Sequence, residues 1–353
     1  MSPKASFSLQ GAIVDCHFDA SFRSLSKLTP RERTVLLTDE NVFQLHRNAF
    51  KGWNTVVLKP GEEYKVQETV DTVIGRLVDY RADRGFTLVG IGGGVVTDLA
   101  GYAASVYMRG IRFGFVPTTL LAMVDAALGG KNGVDVGPYK NLVGVIRQPG
   151  FLLYDLGFLE TLPVSQWSNG FAEIVKHACI RDAAAFRILE EMDLATLRRD
   201  RRKMAELVER NARLKLSVVK RDPFEQGERR LLNFGHTLGH ALETAYELEH
   251  GQAVAIGMSF ACRISETHLG FKGTQRVCEV LQQYGLPHEA VFDADKVLGT
   301  MSMDKKRMGR DMNYVMLERI GKAQVVPMPV SSLVKEVKAL STSFKLKKGR
   351  SVK

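Results

Sequence analysis

Between about residues 33 and 155, short β-branched runs alternate with longer amphipathic stretches. The runs at 34–38, 55–58, 86–91 and 111–116 predict strands, and the stretch 63–84 predicts a helix between two of them. Strands alternating with helices imply a mainly parallel sheet, whose ligands bind beyond the carboxyl ends of the strands. After Pro163 the apolar spacing becomes helical, at 171–180, 182–192, 201–220, 236–248 and 252–267. The boundary is placed near residue 160, with an α/β domain over 1–160 and a mostly α-helical domain over 161–353. No repeat or low-complexity segment interrupts either half except the tail after Thr342.

Composition narrows the class. The 353 residues are 45% hydrophobic and 25% charged, as in a globular protein that buries a sizeable core. No apolar run is long enough to span a bilayer, and the first residues lack the layout of a signal peptide, so a cytoplasmic protein away from membranes is expected. Cys16, Cys179, Cys262 and Cys278 are widely spaced and read as buried thiols, not as a disulfide frame. The net charge of +10 is concentrated in local runs, 198–203 and the tail 345–350, with no interleaved aromatics; nucleic acid is not an expected partner.

Three segments carry candidate chemistry. Gly92-Gly93-Gly94-Val95-Val96-Thr97-Asp98 follows a predicted strand and opens a helix, which is the arrangement of a pyrophosphate cradle. Acidic residues in Thr38-Asp39-Glu40-Asn41 and Gly61-Glu62-Glu63 sit at strand ends, where ribose hydroxyls of a dinucleotide are held. Asp125, Gly129-Gly130-Lys131 and Lys140-Asn141 add a carboxylate and lysines suited to an oxyanion. In the second half, Glu173 and Lys176 lie three apart in an apolar helix, where buried charges need partners. Asn233-Phe-Gly-His-Thr-Leu-Gly-His-Ala-Leu-Glu243, followed by His250-Gly251, brings three imidazoles into one short stretch. Spacing alone pairs His236 with His240 on one helix face, with His250 as a third ligand of a metal site. Gly235, Gly239 and Gly251 suggest close backbone approach there.

These segments, together with MRGIRF, VPTTLLAMVD, GFAEIVKH, DPFEQGERRLLNFGHTLGHALE, HGQAVAIGM and MDKKR, resemble the 3-dehydroquinate synthase family of sugar phosphate cyclases from about residue 33 to 328. The resemblance implies a Rossmann-like NAD-binding domain followed by a helical domain for metal and substrate. It implies a lyase of the shikimate pathway, acting on the heptulosonate phosphate acid by oxidation, β-elimination of phosphate, reduction and aldol closure, with catalytic NAD and zinc or cobalt. The metal ligands implied are Glu173, His236 and His250, with His240 moved to the substrate pocket. The implied dinucleotide contacts are Asp39, Asn41, Glu62, Lys65, Gly93, Gly94, Val95, Asp98, Thr118, Thr119, Lys140, Phe158, Thr161 and Leu162. The implied pocket residues are Asp125, Lys131, Asn141, Lys176, Lys215, Glu225, Arg229, Asn233, His240, Lys305 and Lys306, with Arg109 entering from the partner subunit of a homodimer. The chain departs from the family at Ala126-Ala127, Asn132 and Gln166, which touches fine positioning and leaves the reaction class intact. The alternatives are a sister cyclase of the deoxy-scyllo-inosose or epi-valiolone type, and a metal-dependent polyol or glycerol-phosphate dehydrogenase. A basic scaffold without enzymatic activity stands as the non-catalytic reading.

Overall fold

Runs of buried β-branched and aromatic residues build a seven-stranded sheet in the first of the two units into which the chain divides in the computed structural model. The structure describes residues 4–137, 139–305 and 311–350. The first unit comprises Met1–Trp167 with Arg201–Pro223. In chain order its strands are β1 (Lys4–Leu9), β2 (Ala12–His17), β3 (Thr34–Asp39), β4 (Asn54–Leu58), β5 (Thr87–Gly92), β6 (Arg112–Pro117), β7 (Lys131–Val136), β8 (Tyr139–Ile146) and β9 (Phe151–Leu153). The sheet order is β1-β2-β9-β6-β5-β3-β4, with β1 antiparallel to β2 and the other pairs parallel; β7 and β8 form a separate antiparallel hairpin.

The helices of this sheet unit begin with α1 (Glu40–Leu45), α2 (Arg47–Phe50), α3 (Gln67–Asp79) and α4 (Gly94–Val106). Strand β5 is buried throughout, as befits a central parallel strand covered on both faces. Its Gly90 lets α4 lie close: a Cβ there would stand 2.8 Å from that of Ala100. Leu36, Val89, Ile91, Val116, Phe151 and Phe158 share one core cluster. Strands β3 and β5 are neighbours, yet β3 leads to β4 on one side and β5 to β6 and β9 on the other. Such a reversal leaves a crevice at the carboxyl ends of the two strands, where open α/β sheets bind ligands.

The described residues of the second unit, Ser168–Asp200 with Phe224–Lys353, are mostly helical, with one hairpin. It takes most of α5 (Val164–Arg181), then α6 (Ala183–Glu191) and α7 (Leu194–Arg199). The next helix, α8 (Arg201–Arg221), groups with the first unit, which corrects the assignment of everything after residue 160 to one helical domain. A periodic helix tells which face is buried, not which core buries it. After it come α9 (His236–Tyr246), α10 (His250–Leu269), α11 (Thr274–Gln283), α12 (Ala294–Lys305), the antiparallel strands β10 (Asp311–Arg319) and β11 (Lys322–Pro329), and α13 (Val330–Arg350).

Glycine governs the packing of α9 on α10. Gly235 precedes α9 at φ +81°, and a Cβ on Gly257 would lie 1.9 Å from the Gly235 carbonyl oxygen; one on Gly239 would lie 3.1 Å from that of Ala253. The two helix backbones therefore touch, which brings the first turns of both, and His236 and His250 with them, together. Gly257→Ala is predicted to cost about 1–3 kcal/mol through overpacking. Gly75→Ala, in α3 with nothing within 4 Å of the added Cβ, is predicted to be neutral or to gain up to about 1 kcal/mol. Urea midpoints of the two variants against the parent check both.

Candidate functional site

The first unit gathers one set of candidate residues at the carboxyl edge of its sheet. Gly93 and Gly94 open α4, with Val95 and Asp98 in its first turns. A Cβ on Gly93 would stand 3.1 Å from the Thr119 methyl and one on Gly94 3.2 Å from Ala126, so the turn leaves its backbone bare. Thr118 donates its backbone N–H to the Gly92 carbonyl at 2.9 Å, while the buried hydroxyls of Thr118 and Thr38 have no hydrogen-bond partner among the described residues. Buried hydroxyls without partners beside a bare helix N-terminus suit a polar ligand laid along this edge. Asp39 ends β3 and caps α1, accepting from the Val42 N–H at 3.0 Å; burial raises its pKa despite that bond. Asn41 is exposed in the first turn of α1.

Lys65 is the hub of this edge. It is 5% exposed, donates to Asn141 Oδ1 at 2.6 Å, pairs with Asp98 Oδ2 at 2.6 Å and has Glu62 Oε1 at 3.8 Å. Its carbonyl accepts from the N–H of Asp135, whose carboxylate accepts from the Asn141 N–H at 2.6 Å with Asn141 at φ +53°. Glu62, Lys65, Asp98 and Asn141 are thereby brought together, and the β7–β8 hairpin is tied to the glycine turn. Burial would lower the Lys65 pKa, but the charges of Asp98 and Glu62 outweigh it and raise it; burial pushes the Asp98 carboxyl up to about 6 against the pull of Lys65.

Asp125 and Lys215 also meet within this unit: Lys215 Nζ lies 2.7 Å from both the carboxylate and the carbonyl oxygen of Asp125. Lys131 opens β7 and Lys140 lies in β8, both exposed. Phe158 sits in the core; Thr161 exchanges a hydrogen bond with His46 Nε2 at 2.8 Å, and the His46 ring packs edge-on to Phe158 at 4.7 Å. Leu162 follows with its N–H on the Leu159 carbonyl. Arg109 is exposed at φ +62°, next to Met108 at φ +50°, two consecutive residues in a region L side chains rarely adopt.

The second unit holds the candidate metal centre. Glu173, fully buried in α5, pairs with Lys176 one turn on and faces two imidazoles: His236 Nε2 at 3.5 Å and His250 Nε2 at 3.4 Å from the same oxygen, Oε1. One ligand atom from each of Glu173, His236 and His250 lies within 4.8 Å of the others. Metal–ligand bonds of 2.0–2.2 Å in a tetrahedral site put neighbouring ligand atoms about 3.4 Å apart, so these separations fit a zinc-sized cation. His236 Nδ1 lies 3.2 Å from the Phe234 carbonyl, to which it donates in the tautomer that leaves Nε2 as the donor atom. Burial, with Lys176 adding to it, pushes His236 well below the usual imidazole range, so it is neutral as a ligand must be. For His250 burial alone would act the same way, but hydrogen bonds and charges from Glu173 and Glu243 outweigh it and raise the pKa to about 9.

His240 lies outside this trio. Its ring is edge-on to His236 at 5.0 Å and is exposed, so the pairing read from its spacing gives way to Glu173 with His236 and His250. Asn233 donates to Glu225 Oε1, and Arg229 is buried in the turn between them. Lys305 is the last residue of α12, and Lys306 lies outside the described residues. Three residues escaped the sequence reading: Asn169, Glu243 and His46. Glu243 lies two helical turns after His236, a spacing that could have marked it; Asn169 and His46 carry no comparable signal.

A family model described as 3-dehydroquinate synthase N-terminal matches residues 55–169, and one described as 3-dehydroquinate synthase C-terminal matches 170–307. A 3-dehydroquinate synthase of Pyrobaculum islandicum is 42% identical over 314 residues, covering 87% of this chain and 90% of that protein. Among solved structures, 2-epi-5-epi-valiolone synthase of Streptomyces hygroscopicus, with NAD+ and Zn2+ bound, is 27% identical with a TM-score of 0.85 over 98% of this chain and 99% of its own. A 2-deoxy-scyllo-inosose synthase complexed with carbaglucose-6-phosphate, NAD+ and Co2+ shares the fold, at 24% identity and a TM-score of 0.84 over 96% of this chain and 100% of its own.

The partly buried Asp98 carboxyl gives a pH-dependent signature. Its folded pKa, about 6, is above the unfolded value near 4, so its stabilising contribution is full below about pH 4 and lost as pH rises through about 6. Across that window the parent is predicted to lose stability relative to Asp98→Asn, with level differences on either side. Urea unfolding of both proteins from pH 4 to 8 checks this; parallel curves would contradict it.

Proposed function

We propose, for a chain that belongs to the 3-dehydroquinate synthase family, the conversion of 3-deoxy-D-arabino-heptulosonate 7-phosphate to 3-dehydroquinate and inorganic phosphate in the cytoplasm. The observation that carries the reading is the trio Glu173, His236 and His250, with two imidazole nitrogens aimed at one buried carboxylate oxygen. These residues would hold zinc or cobalt, and the glycine turn with Thr118, Asp39 and the Lys65 hub would hold NAD. When bound, the metal supplies Lewis acidity toward the substrate's hydroxyls, and NAD+ supplies a hydride acceptor that is restored within each turnover.

The protein's own groups bind and orient. By the family resemblance, Lys131, Asn141, Lys176 and His240 are the residues proposed as donors for the substrate phosphate. Arg229, whose planar fork matches a carboxylate, and Asn233 bind the acid end. Lys215 fixes Asp125 rather than reaching out alone, which makes the pair a positioned carboxylate for a substrate hydroxyl. No side chain is assigned as the base in the elimination; the leaving phosphate's own oxygen takes the proton.

A homodimer completes this reading. Strand β8 is exposed almost throughout and carries Tyr139, Leu142, Val143 and Ile146 on the surface, an edge that a second copy would cover. The strained Met108–Arg109 backbone supports a working role for Arg109, since such strain persists where function uses it.

Phosphate release from the heptulosonate phosphate acid, with substoichiometric NAD+ and added zinc, is the test. Expected are stoichiometric phosphate, no net NADH, and loss on chelation that zinc reverses. Accumulating NADH would move the assignment to a dehydrogenase, and phosphate from a neutral sugar phosphate alone would move it to a sister cyclase. Arg109→Ala is predicted to lower turnover roughly 100-fold, the scale of one lost transition-state donor, with metal content unchanged; unaltered turnover would sink the shared-site idea.

A further inference from the structure

We propose that Glu243 is a positioning residue of the metal centre, acting through His250; the inference rests on reading Glu173, His236 and His250 as metal ligands. An imidazole on a helix can rotate about its last side-chain torsion and exchange which ring atoms it points forward. His236 is held against this by the Phe234 carbonyl behind Nδ1. His250 opens its helix and has no such carbonyl among the described residues; Glu243 Oε2 stands there instead, 3.4 Å from Nδ1, while Nε2 faces Glu173 Oε1 at 3.4 Å.

The backbone of His250 is fixed separately. Asn169 accepts from the Gly251 N–H at 3.0 Å and donates to Glu249 Oε2 at 2.8 Å, bracketing His250 on both sides. Gly251 must lack a side chain, since a Cβ would meet the Asn169 Cα at 2.6 Å. With the residues on either side of His250 held by Asn169, its side-chain torsions are the freedom that remains, and the Glu243 carboxylate restrains the ring. With Nδ1–H donated to a carboxylate, the Nε2 lone pair is presented forward and made more basic, as carboxylate partners of metal-bound histidines do. Glu243 is not itself a ligand in this arrangement: its oxygen lies on the Nδ1 side of the ring, and it does not share the cluster of converging ligand atoms.

The test measures metal affinity directly, without substrate, by chelator competition on the full-length chain stripped and reloaded with Co2+ or Zn2+. Glu243→Ala is predicted to bind 10–100-fold more weakly, the usual cost of losing such a partner. Glu243→Gln keeps an acceptor without the charge and is predicted to fall between, with the visible absorption of its Co2+ form unchanged and with NAD+ affinity and metal-free unfolding midpoint as in the parent. Affinity within twofold of the parent in both variants would overturn the role of Glu243 alone. So would an altered Co2+ spectrum in Glu243→Gln with a loss equal to that of Glu243→Ala, since that marks a direct ligand. Absence of tight metal binding in the parent would overturn the metal-centre reading and this inference with it.

Discussion

A carboxylate with no access to water, Glu173, sets the terms for the second unit. A buried charge is tolerated only when surrounded by opposite charge and donors, and here Lys176 on the same helix pairs with it while His236 and His250 converge from two others. Lys176 balances one negative charge. It does not explain why two imidazoles, one of them held neutral, turn the same nitrogen toward the same oxygen at the edge length of a tetrahedron. A divalent cation explains both. The glycine contacts between α9 and α10 follow from this need, because any side chain at Gly257 would separate the helix ends that carry the two histidines.

The first unit solves a different problem with similar means. Its mainly parallel sheet leaves a crevice between β3 and β5, and there the chain keeps side chains small, leaves two hydroxyls without partners among the described residues and buries one lysine among carboxylates. Lys65 binds the glycine-turn helix through Asp98 and the β7–β8 hairpin through Asn141. Residues that look like separate motifs along the chain thus form one network, and the exposed Lys131 and Lys140 are carried by the hairpin which that network fixes in place.

Much of this was legible in the sequence because it follows local rules. Strands β3, β4, β5 and β6 fall within a residue or two of their predicted positions, since each is a short run of mainly apolar residues, and β3 and β5 are buried almost throughout. The glycine turn announced itself by its place between strand and helix, and Gly235 and Gly239 by their density. What escaped notice depends on long-range partners. The hairpin β1–β2 and strand β11 are only partly buried and show no dense apolar run. Helix α8 reads as one more amphipathic helix until Lys215 is found on Asp125. The spacing of His236 and His240 satisfies a helical rule that the third dimension overrides, because Glu173 arrives from another helix and selects His250 instead. Only the family resemblance pointed to that choice in advance. Glu243 and Asn169 serve ligands without being ligands, and sequence patterns rarely encode that.

The central claim is that Glu173, His236 and His250 form one metal centre from which His240 is excluded. Equilibrium dialysis with metal analysis on four proteins tests it most directly: the parent, Glu173→Gln, His236→Ala and His240→Ala. The account predicts one tightly held divalent ion per chain in the parent and in His240→Ala, and its loss in the other two. Retention of the ion by Glu173→Gln, or its loss from His240→Ala, would contradict it.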